Sequence, residues 1–263
     1  MEQVAVRAVE RAIAYMRDNL SEQITLDDMA HAAMFSKYYF MRLFQRVTGI
    51  SPGRFLSAIR IQQAKELLLT TSMTVTDVGY QVGYNSMGTF SSRFRESVCL
   101  SPTTYRQQRG LLGELPGEVG SGEPDSRSAT VGGRIFAPQA GPVGAVFVGL
   151  FSDRLPHGRP IRWTMRPRSG AFLLENVRPG SCYLVVDAPS SRPGDPPASV
   201  PEPDGYVAVH GPIIVRRDTD LRLDLLLRPS SMLDPPILLA RLDERSVASR
   251  TAVAARDTVE FAA

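Results

Sequence analysis

Residues 36–44 read SKYYFMRLF, and residues 86–94 read SMGTFSSRF. Both segments begin with serine and carry phenylalanine at their fifth and ninth positions, at an interval of 50 residues. A serine-proline pair and then an aromatic residue follow each segment at the same interval, as Ser51-Pro52 with Phe55 and Ser101-Pro102 with Tyr105. A supersecondary unit that occurs twice predicts a duplicated fold.

Each copy predicts two short helices joined by a tight turn. In the first copy an apolar stripe at helical spacing precedes a turn at Met34-Phe35, and Ser36 is placed to cap the next helix. The residues expected to face the core are Leu26, Met29, Ala30 and Ala33 on the first helix and Phe40, Leu43, Phe44 and Val47 on the second. A second helix with a polar and basic outer face is typical of a helix-turn-helix that presents a recognition helix.

A longer helix is predicted between the two copies, from Pro52 to the break at residues 70–72. Proline suits a first helical turn, and the apolar residues that follow recur at spacings near 3.6. About 20 residues at ~1.5 Å each give a length of roughly 30 Å, and one turn of B-DNA is about 34 Å. A helix of this length would set two recognition helices into successive major grooves without a dimer.

Residues 25–105 resemble the paired helix-turn-helix domain of the AraC/XylS family of bacterial transcription regulators. The sequence departs from the family at Cys99, where glycine is usual, and at Gly79, Gly88 and Ser92. The resemblance implies a sequence-specific DNA-binding transcription regulator. It rests on SKYYFMRLF at 36–44, TGISP at 48–52, Ile59-Arg60 with Ala64 and Leu67-Leu68, VGYNS at 82–86 with Phe90 and Phe94, and SPTTYR at 101–106.

The candidate DNA contacts lie on the two recognition helices and beside them. The resemblance places base contacts at Tyr38, Met41 and Arg42, and Arg42 is the first candidate because guanidinium can bond a guanine edge bidentately. A phosphate contact or a surface ion pair stays open for Arg42. Short side chains on the second helix favour backbone, phosphate and shape recognition. The candidate base-reading residues are Lys37, Tyr38, Met41, Arg42, Gln45, Met87, Gly88, Thr89, Ser92 and Arg93, and the candidate phosphate-binding residues are Ser36, Arg46, Arg60, Ser86 and Arg95.

The charge is unevenly distributed along the 263 residues, a length that favours two domains. The formal net charge is +3, and residues 1–110 alone hold 13 Lys and Arg against 9 Asp and Glu. Between Asp28 and Glu66 no acid occurs among six bases, which are Lys37, Arg42, Arg46, Arg54, Arg60 and Lys65. Such a run indicates either a face that meets phosphates or a solvated helical face.

Other sequence features favour a cytoplasmic protein without a catalytic centre. Residues 4–20 predict an amphipathic helix that packs on the first copy. The charged start is unlike a secretory signal, no apolar run approaches the ~20 residues that span a bilayer, and Cys99 and Cys182 fall in different predicted domains. The three histidines are scattered, and no glycine-rich phosphate loop occurs, so we expect no enzyme activity, no metal and no cofactor.

The second part of the chain predicts strands rather than helices. We expect a flexible linker at 111–130, an antiparallel β-sandwich at 131–244 and a tail at 245–263 that forms a strand, forms a helix or frays. The run GAFLLENVRPGSCYL at 170–184 resembles carboxypeptidase-regulatory-like, transthyretin-type domains. The expected strands cover 133–136, 145–151, 161–165, 171–174, 183–187, 206–209, 213–216 and 221–227.

The predicted architecture is therefore an all-α domain at residues 1–110, with two helix-turn-helix units joined by a long helix, followed by the sandwich. The expected partners are double-stranded DNA, RNA polymerase if the protein is an activator, and a small ligand or a second copy at the sandwich; no membrane is expected. Two alternatives stay open. One is a weakly specific architectural DNA-binding protein, and the other is a sandwich that binds a ligand or protein beside a secondary helical domain.

Overall fold

The computed structural model describes residues 2–112, 129–137, 145–189 and 205–242. Its first part, the helical half, is followed by a part rich in β-strands, the β half. The helices of the described chain are α1 (Glu2–Asp18), α2 (Leu26–Ala32), α3 (Lys37–Thr48), α4 (Pro52–Thr70), α5 (Val75–Gln81), α6 (Met87–Val98) and α7 (Pro102–Gln107). The strands are β1 (Leu111–Leu112), β2 (Ala129–Phe136), β3 (Val146–Phe151), β4 (Arg162–Arg166), β5 (Ala171–Val177), β6 (Gly180–Pro189), β7 (Gly205–Val215), β8 (Asp220–Leu226), β9 (Arg228–Pro229) and β10 (Arg241–Leu242).

The amphipathic N-terminal helix is confirmed as α1 and packs on the first helix pair, α2 and α3. Its apolar residues Val9, Ile13 and Met16 are completely buried. Arg11 Nη2 also donates a hydrogen bond of 3.0 Å to the carbonyl oxygen of Ala33, in the turn between α2 and α3. The turn is thus held from the α1 side by both packing and a hydrogen bond.

The second helix pair, α5 and α6, repeats the first with one additional residue. Thr25 caps α2 and Thr74 caps α5, and each hydroxyl accepts the backbone N–H of an aspartate three residues on. The turns that follow contain Met34 at φ 62° and Gly83 at φ 83°. These equivalent positions differ by 49 residues, whereas the interval from the capping serines onward is 50. The second turn is therefore one residue longer than the first before the next helix begins.

The capping hydrogen bond predicted for Ser36 is not formed, whereas Ser86 forms the equivalent bond. Ser36 occupies the N-cap position of α3, but its side chain makes no capping hydrogen bond. Ser86 does cap α6, because its Oγ accepts the N–H of Thr89 at 3.4 Å. The Ser36 hydroxyl is exposed and therefore remains available to another acceptor or donor.

Aromatic rings fix the inner face of each helix pair. Phe40 and Phe44 lie edge to face at 5.5 Å, and Phe44 meets Phe55 of α4 at 5.4 Å. The second pair repeats this packing through Phe90, Phe94 and Tyr105 of α7, with centroid separations of 5.7 and 5.5 Å. Edge-to-face pairs of this kind stabilise a core beyond their buried area. The opposite faces of α3 and α6 are consequently directed outward.

The helix that carries each aromatic pair ends in a left-handed residue. Gly49 at φ 82° ends α3, and Cys99 at φ 69° ends α6. Glycine adopts this conformation freely, whereas in a residue with a side chain the left-handed conformation costs about 1–2 kcal/mol of conformational energy. The cysteine noted in the sequence therefore retains the backbone geometry of a glycine cap. Its thiol is half-buried, and burial raises its pKa.

The β half consists of two larger sheets with apolar residues between them. One sheet has the strand order β5-β2-β8, and the other has the order β4-β3-β6-β7-β9. Residues of both sheets, including Val131, Val148, Leu174 and Val186, form one buried cluster. A short separate pair joins β1 to β10, so that the end of the helical half lies beside the end of the described β half.

Two strand predictions need correction. The expected antiparallel arrangement fails at one position, because β2 pairs with β8 in parallel, from Thr130 opposite Asp220 to Phe136 opposite Leu226. The strands expected at 206–209 and 213–216 are one strand, β7. The glycine-proline pair between them does not form the expected turn, because β6 pairs along the whole of β7 and shifts register between Cys182 and Leu184.

The predicted linker and tail fall largely outside the described chain. Of residues 111–130, only the ends belong to described strands, namely β1 and the start of β2, which begins before the expected boundary at 131. The tail at 245–263 lies entirely outside the described residues.

Strand β3 is buried on both faces, which joins the β half to the helical half. Val148 belongs to the core between the sheets, whereas Phe147 and Phe151 belong to the same apolar cluster as the helical core. Trp163 of β4, 4% exposed, stacks on Phe147 at 6.4 Å and belongs to that shared cluster as well. The tryptophan is thus a core residue, at the boundary between the two halves.

A turn of the helical half offers a test of this backbone geometry. In Gly83→Ala, the new carbon would lie 2.2 Å from the carbonyl oxygen of Leu20 at a φ of 83°. We expect the free energy of unfolding to fall by about 2 kcal/mol or more, measured by urea denaturation. Gly53→Ala is the matched control, because Gly53 lies in helix α4 with open space around it. Its substitution should be neutral or stabilise by up to ~1 kcal/mol; equal losses in both variants would contradict this interpretation.

Candidate nucleic-acid interface

The outer face of α3 carries every residue predicted for it. Lys37, Tyr38, Met41, Arg42 and Gln45 are all exposed, Tyr38 by 77% and Met41 by 38%. Large hydrophobic side chains at such exposure are available for contact with another molecule.

Tyr39 is an exposed aromatic residue of α3 that the sequence analysis did not select. It is 44% exposed, and its ring lies 4.9 Å from that of Phe35 in the preceding turn. The SKYYF segment contained the only signal, two adjacent tyrosines of which just one matched a family contact position.

Lys37 is engaged by an acid that the sequence analysis did not select. Its Nζ lies 2.7 Å from Asp27 Oδ2 on α2, and both side chains are exposed. The hydrogen bond to Asp27 is the main cause that raises the pKa of Lys37. Asp27 therefore competes with any phosphate or base for this ammonium group.

The outer face of α6 is smaller at its start than predicted, because Met87 does not belong to it. Gly88, Thr89, Ser92 and Arg93 are exposed. Met87 is only half-exposed and packs inward, since a side-chain carbon at Gly79 of α5 would lie 2.8 Å from the Met87 sulfur. Short side chains thus form most of this face, and Met87 contributes to the packing between α5 and α6.

The six basic residues between Asp28 and Glu66 do not form one phosphate-facing surface. Arg54 Nη1 lies 2.9 Å from Asp153 Oδ2 of the β half, and Arg60 donates a hydrogen bond to the backbone oxygen of Glu22. Lys65 is 8% exposed, and its Nζ donates to the carbonyl oxygens of residues 237 and 239 at 3.3 Å. Burial of a cation requires such partners. With Lys37, which binds Asp27, four of the six basic residues therefore have partners within the fold.

The other candidate phosphate contacts remain on the surface. Arg42, Arg46 and Arg95 are exposed, and none makes a hydrogen bond or ion pair with the part of the chain that the structure describes. Ser36 and Ser86 at the starts of α3 and α6 are exposed as well. These side chains lie beside the outer faces of the two helices, where a polyanion that contacted both helices would meet them.

Neither a metal-binding cluster nor a membrane-spanning helix is found among the described residues. Across residues 2–112, 129–137, 145–189 and 205–242, no cluster of three or more His, Cys, Asp or Glu is arranged to hold a metal ion. Within the same ranges, none of the helices combines the length and the apolarity that crossing a bilayer requires.

Known proteins resemble the helical half. A family described as "Helix-turn-helix domain" matches residues 29–108. The HTH-type transcriptional activator AarP of Providencia stuartii is 28% identical over 98 residues, which are 37% of this chain and 73% of that protein. The raffinose operon transcriptional regulatory protein RafR of Pediococcus pentosaceus is 31% identical over 111 residues, which are 41% of this chain and 40% of that protein.

The helical half is a DNA-binding helix-turn-helix domain of the kind found in transcription regulators. A solved AraC-type transcriptional regulator from Chromobacterium violaceum is 29% identical to this chain, with a TM-score of 0.38 and coverage of 39% of this chain and 92% of that one. The chain thus spans most of some regulators and less than half of others. The exposed faces of α3 and α6 are the candidate surfaces of this domain for contact with DNA.

Release of Lys37 from Asp27 should strengthen DNA binding by the helix-turn-helix domain. In Asp27→Asn the ammonium group loses its carboxylate partner, and one negative charge leaves the surface. We expect tighter binding at low salt and a slope of log affinity against log salt that is steeper by up to about 0.9, the value for one added phosphate contact.

Asp18→Asn is the control, because it removes the same charge from an exposed position at the end of α1. Fluorescence anisotropy with duplex DNA at several salt concentrations measures both slopes. Identical slopes for the two variants would show that Lys37 gains no phosphate when it is released.

Proposed function

We propose that this chain is a sequence-specific transcription regulator whose helices α3 and α6 enter two successive major grooves on one face of the DNA. Each helix pair would act as one helix-turn-helix unit, with α4 between them. The 19 residues of α4 correspond to about 28 Å, near the ~34 Å repeat of B-DNA. One copy of the chain would therefore cover two neighbouring grooves.

The observation that carries the proposal is the same in both pairs: two phenylalanines are buried and the opposite face is exposed. Phe40, Phe44, Phe90 and Phe94 are all completely buried. A recognition helix needs a fixed inner face, because its side chains must reach base edges in a defined orientation. This repetition supports a role for the two outer faces beyond that of an ordinary solvated helix.

On the first recognition helix, Arg42 is the residue that we assign to base reading. Its guanidinium group is exposed and can bond O6 and N7 of guanine together. Tyr38 and Met41 offer apolar surface to thymine methyl groups, and Gln45 and Lys37 lie beside them on the same face. Lys37 takes part to the extent that Asp27 releases it.

On the second recognition helix, the side chains favour recognition of DNA shape. Gly88, Thr89 and Ser92 bring the helix backbone close to the groove, and Arg93 is the long side chain of the set. Ser36, Ser86, Arg46 and Arg95 are proposed to contact phosphates. Arg60 is left out, because its guanidinium group is half-buried and bonded to the backbone of Glu22.

The β half is proposed as a module for a ligand, a partner or a second copy of the chain. Its two sheets around one apolar core support a sandwich at about residues 131–244, and the 170–184 segment supports a transthyretin-type arrangement. We place the protein in the cytoplasm, where its DNA is, and expect RNA polymerase as a partner if it activates transcription. Residues 111–130 and 245–263 remain proposed as linker and tail.

A base contact at Arg42 predicts a loss of discrimination. Sequences bound by the wild-type chain are first selected from random DNA at physiological salt. Arg42→Ala should then lose ~1–3 kcal/mol of affinity for the selected site and relax the preference at one base pair. Arg46→Ala should weaken binding to all sequences alike and reduce the salt slope by about 0.9.

Arg216→Ala is the matched control, because it removes an exposed arginine from the β half. A selection without any motif would indicate an architectural DNA-binding protein instead. Unchanged DNA affinity in both Arg42→Ala and Arg46→Ala would favour the β half as the working part.

A further inference from the structure

One loop of the β half contacts the C-terminal ends of both recognition helices. This loop, residues 152–160 between β3 and β4, is named here the bridging loop. At α6, the N–H of Gly158 donates a hydrogen bond of 2.8 Å to the carbonyl oxygen of Ser97. Arg159 lies close enough to Cys99, the cap of α6, that its charge opposes the rise in the pKa of the thiol that burial causes.

The same loop contacts the end of the first recognition helix and the start of α4. Asp153 Oδ2 binds Arg54 Nη1 at 2.9 Å. The side chain of Arg154 lies across Gly49, the cap of α3, since a carbon added at Gly49 would be 1.9 Å from Arg154 Nε. Cationic side chains at helix C-termini are favourable, because the carbonyl groups there carry partial negative charge.

A second segment of the β half supports the bridging loop. This segment comprises residues 233–240. The N–H of Leu238 donates a hydrogen bond of 3.2 Å to the carbonyl oxygen of Pro156 in the loop. The N–H of Ala240 donates to the carbonyl oxygen of Val98 at the end of α6, also at 3.2 Å. Together with the bonds from Lys65 to residues 237 and 239, these contacts connect the loop to the middle of α4 and to α6.

Within the helical half, the two helix pairs are coupled mainly through α4. Phe44 packs on Phe55 near the start of α4, and Arg106 of α7 donates to the carbonyl oxygen of Leu68 near its end. A bend of roughly 10° in a helix of about 28 Å moves its end by about 5 Å, which exceeds the ~3.4 Å between successive base pairs. Small motions of α4 would therefore change which base pairs the two recognition helices reach together.

We propose that the bridging loop and residues 233–240 hold the two recognition helices at one separation, so that the β half determines the spacing between the two half-sites in DNA. This inference rests on the proposed reading of two successive grooves. The β half then contributes to sequence specificity without touching a base. The residues concerned are positioning residues, because they act through α3, α4 and α6.

Buried apolar contact supplies most of the strength of this connection. Leu155 of the bridging loop is 6% exposed, and Leu238 and Leu239 are 1% and 6% exposed in the same cluster as the helical core. The Arg54–Asp153 pair adds little, because both side chains are about 40% exposed and water screens them. Leu155 is thus the residue whose truncation should loosen the loop most.

The test measures tolerance to half-site spacing. The two half-sites selected by the wild-type chain are joined at their natural spacing and at one base pair fewer or more. We expect the affinity of the wild type to fall about tenfold or more at either altered spacing, which is the scale of one mismatched base pair. The variants Leu155→Ala and Lys65→Met are tested in the whole chain. The ratio of their affinity at the natural spacing to their affinity at an altered spacing should be at least ~3-fold lower than that of the wild type, whereas base preferences within each half-site stay unchanged.

Binding to a single half-site with unaltered base preferences shows that a variant is folded. Leu226→Ala makes the same substitution as Leu155→Ala at an exposed position of β8, and it is the control for a change in the β half. A bipartite wild-type motif with unchanged spacing ratios in both variants would overturn the positioning role alone. A wild-type motif that covers one groove would overturn the two-groove proposal, and the positioning role with it.

Discussion

Three aromatic rings pack edge to face beneath each recognition-helix candidate, two from the helix itself and one from the helix that follows it. This packing determines which side of α3 and α6 can meet another molecule. Phe44 lies between Phe40 and Phe55, and Phe94 lies between Phe90 and Tyr105. Because the phenylalanines are fully buried, a rotation of either helix about its axis would move a ring into water and polar side chains into the core. The orientation of the outer face therefore follows from the core.

The duplication is retained in packing more closely than in surface chemistry. Both pairs have threonine caps, a left-handed turn residue and a left-handed helix end, although the second turn is one residue longer and the second helix ends at Cys99 rather than at glycine. The outer faces differ, because α3 presents Tyr38 and Arg42 where α6 presents short side chains. Two helices with the same support and different outer faces suit a single chain that meets two different DNA segments.

The sequence predicted the helical half well, because helix periodicity and the repeat are local signals. It predicted the exposed residues of α3 for the same reason. It did not predict the partners of the basic side chains. Asp27, Asp153 and the carbonyl groups that bind Lys65 are brought close to them only by tertiary packing. The parallel pairing of β2 with β8 was likewise missed, because strand periodicity carries no information about strand direction.

Burial of β3 on both faces means that the two halves form one packed unit. Phe147, Phe151 and Trp163 would meet water if the β half moved away. Aromatic side chains bury about 150–250 Å² each, which at ~25 cal/mol per Å² opposes full exposure by about 4–6 kcal/mol per side chain. A ligand or partner that altered the packing of β3 or β4 would therefore act on the loop between these strands. Since this loop meets the ends of α3 and α6, the β half is mechanically connected to the helices that we propose to contact DNA.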